Sequence, residues 1–143
     1  MGTHTMKTAL DTNILIYYLE GIEPEASKVG KILAGFMNSE NEGLISTITV
    51  AEILTGFYVA GDMNKAAKVK KLLNDLTLNS FEIVPVTFEI ADLAANLRAQ
   101  KGGRLPDALI LATAINQKAN VFYSQDKDLQ RFNKEIRVCL LSE

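Results

Sequence analysis

Apolar positions along this chain repeat with two periods, and the two alternate. Short apolar runs at Lys7–Leu10, Gly43–Ser46, Phe81–Val86, Asn120–Tyr123 and Ile136–Leu140 read as strands. Between them the spacing changes to that of one helical face. Val29, Ile32, Leu33 and Phe36 predict a helix over Glu23–Asn38, and Val50, Ile53, Leu54 and Phe57 predict one over Ile48–Val59, ended by Gly61. Asp62 can cap the next helix, whose inner line is Ala66, Val69, Leu73 and Leu76. Ile90, Leu93, Ala94 and Leu97 predict a helix over Thr87–Gln100, Gly102-Gly103 breaks it, and Pro106 suits the first turn of a helix running to about Gln117. A short amphipathic stretch, Ile14 to Leu19, and a short helix around Leu129–Phe132 complete the pattern. Strands alternating with helices imply an α/β sandwich: a mainly parallel sheet covered on both faces. In such sheets polar sites gather outside the carboxyl ends of the strands.

Composition narrows the class. At 143 residues, 48% hydrophobic and 22% charged, the chain is expected to be one globular domain, residues 6–143. Met1-Gly2-Thr3-His4-Thr5 is expected to be a leader, with Met6 as the natural start. The longest uncharged apolar stretch is too short to span a bilayer, nothing at the N-terminus reads as a secretory signal, and the lone Cys139 excludes an intrachain disulfide. A cytoplasmic location fits. The net charge of −2 argues against broad attraction to nucleic acid, so such a role needs a local basic patch.

Four acids stand in places where charge has little structural purpose. Asp11 closes the first apolar run, Glu52 lies in Val50-Ala51-Glu52-Ile53-Leu54, Asp107 follows Pro106, and Asp126 follows Val121-Phe122-Tyr123-Ser124-Gln125. Carboxylates embedded in apolar runs must be paired, protonated or bound to a cation. Asp11 and Asp126 each follow a predicted strand, Asp107 is expected near the same edge, and Glu52 lies one turn into its helix, so the four can converge. Oxygen-only ligands suit hard cations, Mg²⁺ foremost with Mn²⁺ as the alternative. The reaction most in need of such a site is phosphodiester hydrolysis. With one histidine, His4, and one cysteine, a Ser-His-Asp device or a zinc site is disfavoured, and neither a Walker-type loop nor a dinucleotide glycine fingerprint is present.

Taken in order, Asp11-Thr12-Asn13, Ser46-Thr47-Ile48-Thr49-Val50-Ala51-Glu52, Pro106-Asp107-Ala108 and Ser124-Gln125-Asp126-Lys127-Asp128-Leu129 resemble the motifs of PIN-domain nucleases. Within that family the chain looks most like the VapC-type ribonuclease toxins of toxin–antitoxin pairs. The resemblance covers the chain from Met6, and it is specific as a set where each motif alone is weak. It implies a three-layer α/β/α fold, dependence on Mg²⁺ or Mn²⁺, and endonucleolytic cleavage of RNA. Carried over position by position, Asp11, Glu52, Asp107 and Asp126 form the acidic cluster, with Asp11, Asp107 and Asp126 as metal ligands. Thr12 and Asn13 support Asp11, and Asp128 is an accessory acid. Ser124-Gln125 and Leu129 stand where Thr, Asn and Phe are commoner, which leaves Asp126 and Asp128 both open as the ligand. A homodimer is also implied, as is an antitoxin partner laying an apolar helix in a groove near the site.

Each acid taken alone has a plainer reading, as a helix cap, a first-turn residue or a solvated turn. Independent caps have no reason to fall in this order, so the joint pattern carries the argument. Arg98, Lys101 and Arg104 bracket Gly102-Gly103 and are candidates for RNA phosphates or, equally, a solvated helix end. Lys65, Lys68 and Lys71 read as an exposed helical face. Tyr17, Tyr18, Phe57 and Tyr58 suit core or partner packing better than base stacking. The remaining alternatives are a housekeeping RNA-processing nuclease and a non-catalytic binding module on the same scaffold.

Overall fold

Every short apolar run becomes a strand. In the computed structural model, which describes residues 6–142, the order is β1 (Lys7–Leu10), α1 (Thr12–Glu20), α2 (Glu25–Met37), β2 (Glu42–Ser46), α3 (Thr47–Val59), α4 (Met63–Thr77), β3 (Phe81–Val84), α5 (Phe88–Lys101), α6 (Leu105–Asn116), β4 (Val121–Ser124), a 3-10 turn (Lys127–Phe132) and β5 (Val138–Leu140). The leader expected at residues 1–5 lies outside the described residues. Two strands are shorter than their apolar patterns predict. β3 stops at Val84 because Pro85 has no N–H to give to a ladder. β5 starts only at Val138, whose N–H is taken by Asn133 Oδ1 at 2.9 Å.

All four strand pairings are parallel, in the order β3-β2-β1-β4-β5. Side chains alternate across this sheet and feed two separate cores. Ala9, Leu44, Val84 and Phe122 pack on one face against Ile90, Ala94 and Leu97 of α5, the α6 residues Ala108, Ile110 and Leu111, and Leu129 and Phe132. Their chain neighbours Leu10 and Ile45 turn the other way and meet Ile14, Val29, Leu33, Phe36, Ile53, Phe57, Val69 and Leu73 from α1 to α4. The result is the α/β/α sandwich anticipated from the alternating periods. Near-complete burial on both faces explains why the strands read as continuous apolar runs.

The strand order also locates a crevice. From β1 the chain builds outward through β2 to β3, then crosses back to lay β4 on the opposite side of β1. Connections leaving β1 and its neighbour β4 therefore diverge to opposite sides, which opens a gap beyond their carboxyl ends. Asp11 immediately follows β1, and Asp126 lies two residues beyond β4.

Candidate active site

Asp11 has extended backbone geometry (φ −75°, ψ 161°) and caps α1. Its own N–H continues the β1–β4 ladder, donating to the Tyr123 carbonyl at 2.9 Å. The side chain is 6% exposed. Oδ1 accepts the Thr12 N–H at 2.8 Å and Oδ2 accepts the Ser124 hydroxyl at 2.7 Å. Burial nevertheless outweighs these two hydrogen bonds. Together with the charges of Asp107 and Glu52, it pushes the Asp11 carboxyl up to about 6.

Ser124, buried at the end of β4, links two of the acids. While its hydroxyl donates to Asp11, its oxygen accepts the Asp126 N–H at 2.9 Å. Asp126 then caps the 3-10 turn, its Oδ1 accepting the Asp128 N–H at 3.0 Å. Asn13 Oδ1 accepts the Gln125 N–H at 3.3 Å, and Gln125 Oε1 accepts the Leu141 N–H at 2.7 Å, so the start of α1, the β4 loop and the chain end are tied together.

Glu52 reaches the crevice from α3. Its Oε1 accepts the Thr12 hydroxyl at 2.6 Å, and the Thr12 oxygen lies 3.1 Å from Thr49 Oγ1. Asp107 enters from the first turn of α6, where the helix dipole favours an anion. Its carboxyl is raised above the usual range, first by burial and then by the charges of Asp126 and Glu52; the guanidinium groups of Arg104 and Arg131 pull the other way.

These side chains face one open cleft of about 350 Å³, lined by Asp11, Thr12, Asn13, Ile16, Glu52, Arg104, Asp107 and Asp126. Four acids drawn from four separate elements thus meet, as their odd sequence positions suggested. Asp126 lines the cleft, whereas Asp128 is exposed and contributes its backbone N–H. Of the candidate cations, only Arg104 lines the cleft. Arg98 Nε donates to the Gly103 carbonyl at 3.1 Å, and Lys101 Nζ donates to the Arg131 carbonyl at 2.7 Å. Sequence reasoning assigned no role to Ser124, Thr49 or Arg131. Thr49 lies one helical turn before Glu52, a spacing that could have flagged it. Nothing local flags Arg131.

The donor set fits a hard divalent cation. It offers only oxygen ligands, and a nearly buried carboxylate pushed up by burial and by two neighbouring acids is a group that a cation would relieve. Among the described residues no three acidic side chains stand close enough to enclose an ion as they are.

Solved structures share this fold. A chain of a toxin–antitoxin complex from Klebsiella pneumoniae is 26% identical, with 85% of this chain and 89% of that one covered and a TM-score of 0.66. A chain of DNA-bound VapBC from Salmonella typhimurium is 19% identical over 95% of this chain and 98% of that one, with a TM-score of 0.71. VapBC-1 from nontypeable Haemophilus influenzae is 22% identical over 96% and 100%, with a TM-score of 0.69. Among proteins of curated function, none matches the sequence. The PIN domain model matches residues 8–135, a span that holds all four acids of the cleft, and the four ordered motifs are accounted for together: this chain belongs to the PIN domain family.

Proposed function

We propose that residues 6–143 form a single metal-dependent endonuclease domain that hydrolyses RNA and serves as the toxin of a toxin–antitoxin pair. The observation that carries the reading is convergence: carboxylates from residues 11, 52, 107 and 126 line one cleft at the carboxyl edge of the sheet. Asp11, Asp107 and Asp126 would hold Mg²⁺ or Mn²⁺, with Glu52 beside them. When bound, such an ion supplies activation of water and compensation of charge developing on the phosphate oxygens.

The chain's own groups supply the order. Ser124 and the Thr12 N–H fix both oxygens of Asp11, so its carboxylate has one orientation. Thr12 fixes Glu52 through Oε1 and leaves Oε2 as an acceptor for a proton of the attacking water. Asn13 holds the Gln125 backbone, and the Asp128 N–H holds Asp126. Arg104 meets a backbone phosphate at the rim.

The toxin role draws support from the 26% identity to a chain of the Klebsiella toxin–antitoxin complex. An antitoxin needs a seat near the cleft. An apolar groove formed by Ile16, Ile53, Gly56, Phe57 and Ala60 adjoins it, and Ile16 and Glu52 line both. Homodimerisation and a cytoplasmic setting belong to the same reading; among the described residues no helix is long and apolar enough to cross a membrane.

The test is cleavage of total cellular RNA with Mg²⁺, with Mn²⁺ and with chelator, with fragment ends mapped. Discrete cuts that require the divalent ion are expected. Intact RNA under every condition would defeat the nuclease.

A further inference from the structure

Next to the cleft, the end of α5, the turn into α6 and the 3-10 turn carry basic side chains, among them Arg98, Lys101, Arg104 and Arg131. Lys101 is fully committed: Nζ donates to the Arg131 carbonyl at 2.7 Å, pairs with Glu135 at 3.2 Å and lies 5.5 Å from the centre of the Phe132 ring. Arg98 is anchored on the Gly103 carbonyl. Arg131 is different. Its guanidinium is stacked on the same Phe132 ring, 4.9 Å from the centre, and Nη2 makes one long hydrogen bond of 3.4 Å to the Gly102 carbonyl.

The glycine turn is shaped around that guanidinium. Gly102 and Gly103 have φ of 73° and 100°, and a methyl group added at Gly103 would collide with Arg131 Nη2. Lys101 and Arg131 thus hold each other's segments, which brings the α5–α6 turn against the 3-10 turn. Asp107 follows the first of these and Asp126 precedes the second.

Among the described residues, the ion pairs are Lys65–Glu20, Lys71–Asp75 and Lys101–Glu135, so neither Arg104 nor Arg131 has a carboxylate within salt-bridge distance. Both nevertheless act on Asp107 by charge. Arg104 thus lines the acid cleft, and Arg131 is held against the glycine turn that leads into α6 and Asp107, neither paired with a carboxylate among the described residues. A polyanion approaching four carboxylates needs compensating cations next to them. A guanidinium presents a planar fork of donors matched to phosphate oxygens, and one already seated on a ring loses little freedom on binding.

We propose that Arg131 and Arg104 together form a two-guanidinium anchor for the phosphodiester backbone of single-stranded RNA entering the cleft, with Arg131 as the pre-ordered member. The proposal rests on the nuclease reading above.

The test measures binding of a labelled single-stranded RNA to the Asp11→Asn protein in Mg²⁺ across a KCl series. The slope of log affinity against log salt counts phosphate contacts. Arg131→Met should lower that slope by about 0.7 and weaken binding roughly 5-fold. Arg104→Met should do the same, and Arg98→Met should leave the slope unchanged. Arg131→Lys should keep the slope but lose part of the affinity, because charge remains while the stacked fork is gone. Arg131→Lys carries the test if Arg131→Met does not fold. An unchanged slope in folded Arg131→Met, or an equal fall in Arg98→Met, overturns the anchor alone. Failure of the Asp11→Asn parent to bind RNA overturns the nuclease reading along with it.

Discussion

The two walls of the cleft are held by different physics. On the first, Asp11, Thr12 and Glu52 form a hydrogen-bonded unit: both oxygens of Asp11 are occupied, Thr12 bridges to Glu52, and Asp11 is 6% exposed. On the second, Asp107 is only half-buried, and arginines at a distance balance it rather than hydrogen bonds at close range. Asp11 is set in orientation and carries a large burial cost; Asp107 is looser and is moderated by opposing charges. On the metal-dependent function proposed above, the first wall would define a coordination direction and the second would contribute a less constrained charge.

The sharpest way to break the first wall is to remove its charge. Asp11→Asn should lower divalent-dependent RNA cleavage by at least about 1000-fold, roughly 4 kcal/mol of transition-state stabilisation, while circular dichroism shows an intact fold. Undiminished cleavage by a nuclease-free preparation would take Asp11 out of the site.

The stored cost of that wall should appear as a pH dependence of stability. Asp11 is raised from 3.8 unfolded to about 6 folded, so folding favours its neutral form. The resulting stabilisation is complete below pH 3.8 and is lost as pH rises to about 6. Metal-free protein should therefore lose up to about 3 kcal/mol between pH 4 and 7, at 1.36 kcal/mol per pH unit. Urea denaturation in chelator measures this, and the dependence should flatten in Asp11→Asn. A wild-type profile no steeper than that of the variant would contradict it.

Ser124→Ala sharpens the comparison, because this hydroxyl serves both walls. The variant should lose about 1–3 kcal/mol of stability and roughly 10-fold or more in cleavage, since Asp11 and the Asp126 backbone lose a shared partner. Thermal unfolding and initial rates report the two effects; an unchanged rate would show that Ser124 does not set the acids. The smallest effect belongs to Asp128→Asn, which keeps the backbone N–H that Asp126 uses. It should change cleavage less than about threefold, against a loss of roughly 100-fold for Asp126→Asn. Equal losses would exchange their roles.

Much of this geometry was legible because it is written locally. Asp11, Glu52, Asp107 and Asp126 announce themselves by interrupting apolar runs, and the alternation of strand and helix periods leads to a covered parallel sheet. What was not legible depends on contacts between distant segments. The position of β4 beside β1 follows from a crossover that no local pattern encodes. Arg98, Lys101 and Arg104 look equivalent in sequence, yet two of them bond backbone carbonyls and only Arg104 lines the cleft. Lys101 is drawn off by Arg131 and Phe132, about 30 residues onward along the chain, and Arg98 by the glycine turn. That Asp126 rather than Asp128 lines the cleft likewise depends on a distant contact, because the Ser124 oxygen that accepts the Asp126 N–H from the end of β4 belongs to the hydroxyl bonded to Asp11.

The crossover that lays β4 against β1 has a consequence for how this protein is born. Synthesis delivers Asp11 113 residues ahead of its partner Ser124, with Asp126 following. A growing chain therefore cannot complete the cleft until β4 and the turn after it have been made. On the nuclease function proposed above, cleavage would begin only once that later segment has folded against β1.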